Sequence, residues 1–190
     1  MKKLVFAFFL MAMTVGFGAN VASAQGMMKG GNPMVGGAAM FKNKDIVDNA
    51  VNSKDHTTLV AAVKAAGLVD TLKSKGPFTV FAPVNSAFEM LPAGTVDTLL
   101  KPENKMMLQN VLKYHVVAGK MDSKAIMKAI KKGKGKAMLT TVEGSMLTAM
   151  MEGNKLVLMD EKGGRSTVTI ADVRQSNGVI HVIDTVLMSN

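Results

Sequence analysis

The sequence predicts an α+β domain built around an antiparallel sheet, and three observations lead there. Segments with helical periodicity fill most of residues 45–132, whereas β-like runs separated by Gly-containing turns fill the remainder. One short apolar run, Phe78–Ala82, interrupts the helical half between two prolines and reads as a buried strand. The 190 residues contain no Cys, so packing alone must hold the fold, and disulfide scaffolds, thiolate metal sites and cysteine catalysis are excluded.

The first residues read as a targeting segment. Lys2-Lys3 is a short basic stretch, Leu4–Val15 is apolar, and Ala22-Ser23-Ala24 supplies the small-x-small pattern of a cleavage site. Residues 1–24 are expected to be a removed signal peptide, with Gln25 as the mature start and the protein secreted to the periplasm or the medium. The apolar stretch is shorter than the roughly 20 residues a bilayer span requires, so no transmembrane anchor is expected in the mature form. Removing 24 of the 190 residues leaves 166, and losing Lys2 and Lys3 lowers the formal charge from +9 to +7. A chain of that length buries roughly two thirds of its unfolded surface. Residues 25–44 carry Gly pairs at 30–31 and 36–37, Pro33 and scattered Met without any period. They are read as a flexible Gly/Met-rich tail, with the domain spanning 45–190.

The elements follow in order. Asp45 can cap a short helix Ile46–Val51. Leu59, Val60, Val63 and Ala66 recur at helical spacing over Thr58–Ala66, and Gly67 stands at the C-terminal left-handed position. A short turn around Leu68–Leu72 ends at Gly76-Pro77. After the 78–82 strand, Asn85 or Ser86 can cap a helix carrying Phe88 and Leu91. Pro102 suits the first turn of a helix running to about Lys113, and Ser123 can cap a basic helix to about Lys132. The runs Lys136–Val142, Ser145–Met151, Lys155–Met159, Arg165–Val173 and Val179–Leu187 then read as strands joined by Gly-containing turns. Asn177-Gly178 is expected to supply the positive φ of a tight hairpin.

Three segments carry a resemblance. Gly76-Pro77-Phe78-Thr79-Val80-Phe81-Ala82-Pro83-Val84-Asn85-Ser86-Ala87-Phe88 resembles the first signature box of the fasciclin domain. Asn177-Gly178-Val179-Ile180-His181-Val182-Ile183-Asp184-Thr185-Val186-Leu187 resembles the second, and Leu112-Lys113-Tyr114-His115-Val116-Val117 resembles the central Tyr-His segment. The resemblance covers about Asp45 to Met188. It implies a fasciclin-type wedge-shaped β-sandwich with several short helices, in the bacterial secreted single-domain form, and a role in adhesion or matrix association instead of catalysis.

His56, His115 and His181 stand in no metal-ligand spacing. His181, inside an apolar strand, reads as a hydrogen-bonded core residue, and His56 as a solvated loop residue. Neither a G-x-S-x-G elbow nor a phosphate loop is present, so no catalytic residue, metal or cofactor is assigned. In animal fasciclin-domain proteins the segment matching Tyr114-His115 is implicated in integrin binding; that resemblance makes both candidate partner-binding residues. The competing and favoured reading is that they brace a helix-to-strand junction. A second adhesion motif of the family aligns with Ile170-Ala171-Asp172-Val173, where Asp172 and a β-branched residue match but Ile170 replaces the Asn.

The densest charge lies at Lys120, Lys124, Lys128, Lys131, Lys132, Lys134 and Lys136. Lys124, Lys128 and Lys132 share one helical stripe without acidic partners four residues on. With Lys131 they form a candidate patch for an anionic polysaccharide, an envelope surface or a protein partner. Scarce Arg and absent aromatic interleaving argue against specific nucleic-acid recognition. Of 18 Met, 15 remain after cleavage. Thioethers are soft ligands for Cu(I), so a Met-rich copper-binding or oxidant-protective protein is the alternative, with Met27, Met28, Met34 and Met40 of the tail as its carriers. Met138, Met146, Met150 and Met159 fall in strands, where packing accounts for them.

Overall fold

A computed structural model describes residues 31–189. The expected cleavage segment and the first residues of the tail lie outside the described residues. Packing begins before Asp45: β1 (Met34–Val35) pairs antiparallel with β2 (Ala38–Ala39) through a two-residue Gly36-Gly37 turn. Both glycines have positive φ, the backbone a tight hairpin demands, so the pair read as a linker is a turn. Val35 and Met40 are buried in the core, which corrects the flexible-tail reading for residues 34–40.

The helices come next: α1 (Ile46–Ala50), α2 (Thr57–Ala66), α3 (Val69–Lys73), α4 (Asn85–Glu89), α5 (Thr95–Leu100) and α6 (Lys105–Tyr114). Asp45 caps α1 as expected, its Oδ1 accepting from the Asp48 N–H at 2.8 Å, and Gly67 ends α2 in the left-handed conformation. Asn85 does different work from that expected. Its Oδ1 accepts from the Thr58 N–H at 3.1 Å and its Nδ2 donates to the Lys54 carbonyl, so it closes the start of α2, not of its own helix. Pro102 opens a 3₁₀ turn that leads into α6.

Strands β3 (Phe78–Pro83), β4 (Val116–Ala118), β5 (Lys136–Thr140), β6 (Met146–Glu152), β7 (Lys155–Met159), β8 (Arg165–Arg174) and β9 (Gly178–Ile183) form one sheet in the order β4-β3-β9-β8-β7-β6-β5. A bridge between Val117 and Thr141 brings the two ends together, so the sheet is curled and nearly closed. It is mixed, not antiparallel: β3 and β9 run parallel, Phe78 beside Gly178 through Pro83 beside Ile183. These strands come from opposite ends of the domain, so no local turn dictated their relative direction. Gly178 does not have the positive φ expected of it. A Cβ there would strike the Phe78 carbonyl, so the close approach of β9 to β3 is what demands glycine.

Both central strands are buried on both faces, as the apolar 78–82 run predicted and as parallel pairs require. One core lies between α1–α6 and the sheet and includes Leu59, Phe88, Leu108, Val80, Ile180 and Val182. The second lies inside the curl, where Phe81, Tyr114, Leu147, Leu158 and Ile183 meet Ile126 and Ile130 of α7 (Ser123–Lys132). Helices packed on a curled sheet with two cores make the α+β class that the sequence predicted and the wedge that the resemblance implied. Among the described residues no helix is long and apolar enough to cross a membrane.

Candidate partner-binding site

The signature segments are held together by buried polar side chains. The Asn177 Oδ1 accepts from the Ile46 N–H at 3.0 Å, and its Nδ2 donates to the carbonyls of Leu72 and Ser74 at 2.7 and 3.0 Å. One buried amide thus ties the β8–β9 turn to α1 and α3. The sequence marks Asn177 as a turn residue but not as this tie, because its partners are 103 to 131 residues away. His181 is a core residue as expected. It stacks on Phe81 with centroids 5.6 Å apart, and its Nε2 donates to the Met121 carbonyl at 2.9 Å. His56, expected to be solvated, is 3% exposed, with its Nδ1 2.9 Å from the Ser53 Oγ, because the ordered hairpin covers it. Burial lowers the pKa of both.

Tyr114 and His115 are likewise buried. The Tyr114 hydroxyl donates to the Met146 carbonyl at 2.9 Å, and loss of solvent raises its pKa to about 12. The His115 Nδ1 lies 2.8 Å from the Val111 carbonyl, while its Nε2 accepts from the Leu187 N–H at 3.0 Å. That acceptor role fixes Nδ1 as the protonated nitrogen, and burial lowers the pKa to about 4. Together they join α6, β6 and the C-terminal segment. The expectation that these rings form a contact surface is therefore corrected: the first polar atom a partner could reach is elsewhere, and the brace reading matches the geometry.

Asp172 also has a structural task. It sits in an irregular stretch of β8 with φ +62, a left-handed conformation uncommon outside glycine and asparagine. That turn aims its carboxylate at α7, where Oδ1 accepts from the Ser123 N–H and Oδ2 from the Ser123 hydroxyl, each at 2.6 Å. The N-cap of α7 is Asp122, not Ser123: its Oδ1 accepts from the Ala125 N–H at 2.9 Å, and that bond lowers its pKa. Arg174 holds the other Asp122 oxygen at 3.2 Å. Neither Asp122 nor Arg174 lies in a sequence motif that would mark it.

These anchors position the cationic stripe. Ile126 and Ile130 face the core, leaving Lys124, Lys128, Lys131 and Lys132 exposed along the opposite side, with Lys134 and Lys136 in the following turn and strand. Among the described residues none of these lysines has a carboxylate within 4.0 Å. Two acids at the helix start and Lys131 and Lys132 at its end both favour the helix dipole, which offsets the repulsion along the stripe. The structure thus groups the four lysines on one rigid face, with Asp172 at the anchored end, and separates them from the buried Tyr114 and His115.

An apolar cavity of about 90 Å³ lies between α1–α3 and the sheet, bounded by Leu59, Val63, Leu72, Phe78 and Ile180. His115 touches it, but both imidazole nitrogens are already engaged.

Comparisons with known proteins agree with this architecture. The fasciclin domain family model matches residues 54–189. The chain is 44% identical over 155 residues to protein sll1483 of Synechocystis sp., covering 82% of this chain and 79% of that protein. It is 37% identical over 144 residues to the immunogenic protein MPB70 of Mycobacterium bovis, covering 73% and 66%. Among solved structures, the FAS1 domain pair of the insect cell adhesion molecule fasciclin I superposes with a TM-score of 0.67 at 19% identity, over 76% of this chain and 51% of that one. The family match, the paired boxes on β3 and β9 and the helix-covered curled sheet have one conclusion: the chain belongs to the fasciclin domain family.

Proposed function

We propose that the protein is a secreted, non-catalytic binding module that attaches to an anionic polysaccharide of the cell envelope or its surroundings through the lysine face of α7. The observation carrying this reading is the stripe Lys124, Lys128, Lys131 and Lys132, exposed, without carboxylate partners among the described residues, on a helix pinned at its start by Asp122, Asp172 and Arg174. A fixed row of ammonium groups suits a polyanion of regular charge spacing, whose counterions are released on contact. Membership of the fasciclin family supports an adhesive role, and the burial of all three imidazoles supports the absence of catalysis. The apolar segment ahead of Ala22-Ser23-Ala24 supports secretion.

Binding to immobilised acidic and neutral glycans at low and high salt tests the reading. The wild type should prefer acidic glycans and lose that preference with salt, and replacing the four lysines by Gln should weaken binding roughly tenfold or more. Salt-insensitive binding, or equal binding by the variant, would remove the lysine face from the function.

A further inference from the structure

The strand register surrounds one residue with thioethers. Thr148 of β6 stands beside Met138 of β5 on one side and Met159 of β7 on the other. Met146 and Met150 are its neighbours two positions before and after it on the same strand, so all five share one face of the sheet. That face is the outer one, because the alternate set, including Leu147, Ala149 and Leu158, fills the core inside the curl. Neighbours across strands lie about 5 Å apart and those two along a strand about 6.7 Å. Four flexible arms therefore surround a small central threonine, and Met138, Met159 and one of Met146 and Met150 can reach a common point above it.

The observed side chains already lean across this surface. The Thr148 hydroxyl donates to the Met138 Sδ at 3.5 Å, and the Thr140 hydroxyl to the Met146 Sδ at 3.5 Å. Met138 is 60% exposed and Met146 39%, whereas Met150 and Met159 sit lower in the same patch. Packing explains the lower pair but not the upper, since an outward strand position open to water gains little from an apolar side chain. Of the tail methionines, Met27 and Met28 lie outside the described residues, Met34 is exposed and Met40 is locked in the core.

The geometry points to a Cu(I) site above Thr148, with Met138, Met159 and one of Met146 and Met150 as its ligands. Sulfur-only donors select a soft ion. The surrounding charges penalise a divalent ion more than a monovalent one. Lys136 stands opposite Met150, Arg165 opposite Met159 and Lys155 opposite Glu152, while the Glu161 carboxylate accepts from the Met146 N–H at 3.1 Å. Three cations against two carboxylates leave no excess negative charge for a divalent ion. Among the described residues no cluster of three or more His, Cys, Asp or Glu side chains competes as a metal site. The inference is independent of the lysine face, which lies on α7.

The test is an anaerobic titration of the full chain with Cu(I) in competition with a chromophoric Cu(I) chelator, run alongside methionine-methyl NMR. Cu(I) should shift the methyl resonances of Met138, Met159 and one of Met146 and Met150 together, and Met138→Leu with Met146→Leu should weaken retention at least tenfold. Leucine keeps the apolar volume, so a patch that only docks apolar surfaces would be unaffected. Met106→Leu with Met107→Leu, on exposed positions of α6, should change nothing. Unshifted methyl resonances at these four residues overturn the proposal, as does equal retention by the Met138/Met146 variant. A comparable loss in the α6 control would also overturn it.

Discussion

Two regions of this domain are built on opposite principles. Around the parallel β3–β9 seam, polar side chains are buried and each is committed to a partner: Asn177 to three backbone groups, His115 to two, and His181 to Met121 and Phe81. Across α7 and the outer face of β5–β7, lysines without carboxylate partners and the exposed thioethers of Met138 and Met146 face solvent. The segments that make the family recognisable lie in the first region, and both proposed sites lie in the second. A residue can mark a family because it holds the fold together, and that same commitment removes it from the binding surface.

Changes at the seam should have the largest effects on stability. Asn177→Ala leaves the Ile46 N–H and the carbonyls of Leu72 and Ser74 without their partner, and should cost about 3–5 kcal/mol in urea unfolding. A cost below about 1 kcal/mol would mean that the seam is not organised by its buried polar groups.

His115 makes the seam sensitive to acid. Its folded pKa of about 4 lies below the ordinary 6.5, so between those values the unfolded chain binds the extra proton. The associated stability is complete above pH 6.5 and is lost as the pH falls toward 4, by roughly 3 kcal/mol in total. His56 and His181 act in the same direction. Asp45 and Asp122, both with lowered pKa values, contribute only at lower pH. Urea midpoints at several pH values should therefore fall steeply through this window, and His115→Gln should be less stable at pH 7 but show a shallower fall. An unchanged slope would contradict the buried neutral imidazole.

Tyr114→Phe separates brace from contact more gently. It removes the bond to the Met146 carbonyl and should cost about 1–2 kcal/mol, while glycan binding per folded molecule stays at the wild-type level. Reduced binding by a stably folded variant would return Tyr114 to the contact surface. The smallest effect on stability belongs to the lysine face. Replacing Lys124, Lys128, Lys131 and Lys132 by Gln should move stability by only a few tenths of a kcal/mol. Thermal melts should show this even as acidic-glycan binding falls.

Much of the fold was legible because it is encoded locally. The Asp45 cap, the end of α2 at Gly67, the buried 78–82 strand and the lysine stripe all follow from residues within a few positions of one another. The errors fell where local signals had a second solution. Gly36-Gly37 reads equally as a linker or a hairpin turn, and only the burial of Val35 and Met40 selects the turn. Asn85 is a competent N-cap, but the nearest helix start in space belongs to α2. His56 resembles any loop histidine until the hairpin covers it.

By itself, the order of residues determined the α+β class, a fold without disulfides, the excess of positive charge and the supply of methionine, since these depend on composition and short-range periodicity. Only the tertiary structure decided which of these features face a partner. Long-range packing turned the Tyr-His and Asn-Gly segments into internal ties, and the register of β5–β7 gathered four separate methionines around Thr148. Both outcomes rest on contacts between residues distant along the chain, where the free energy of closing the core outweighs any local preference.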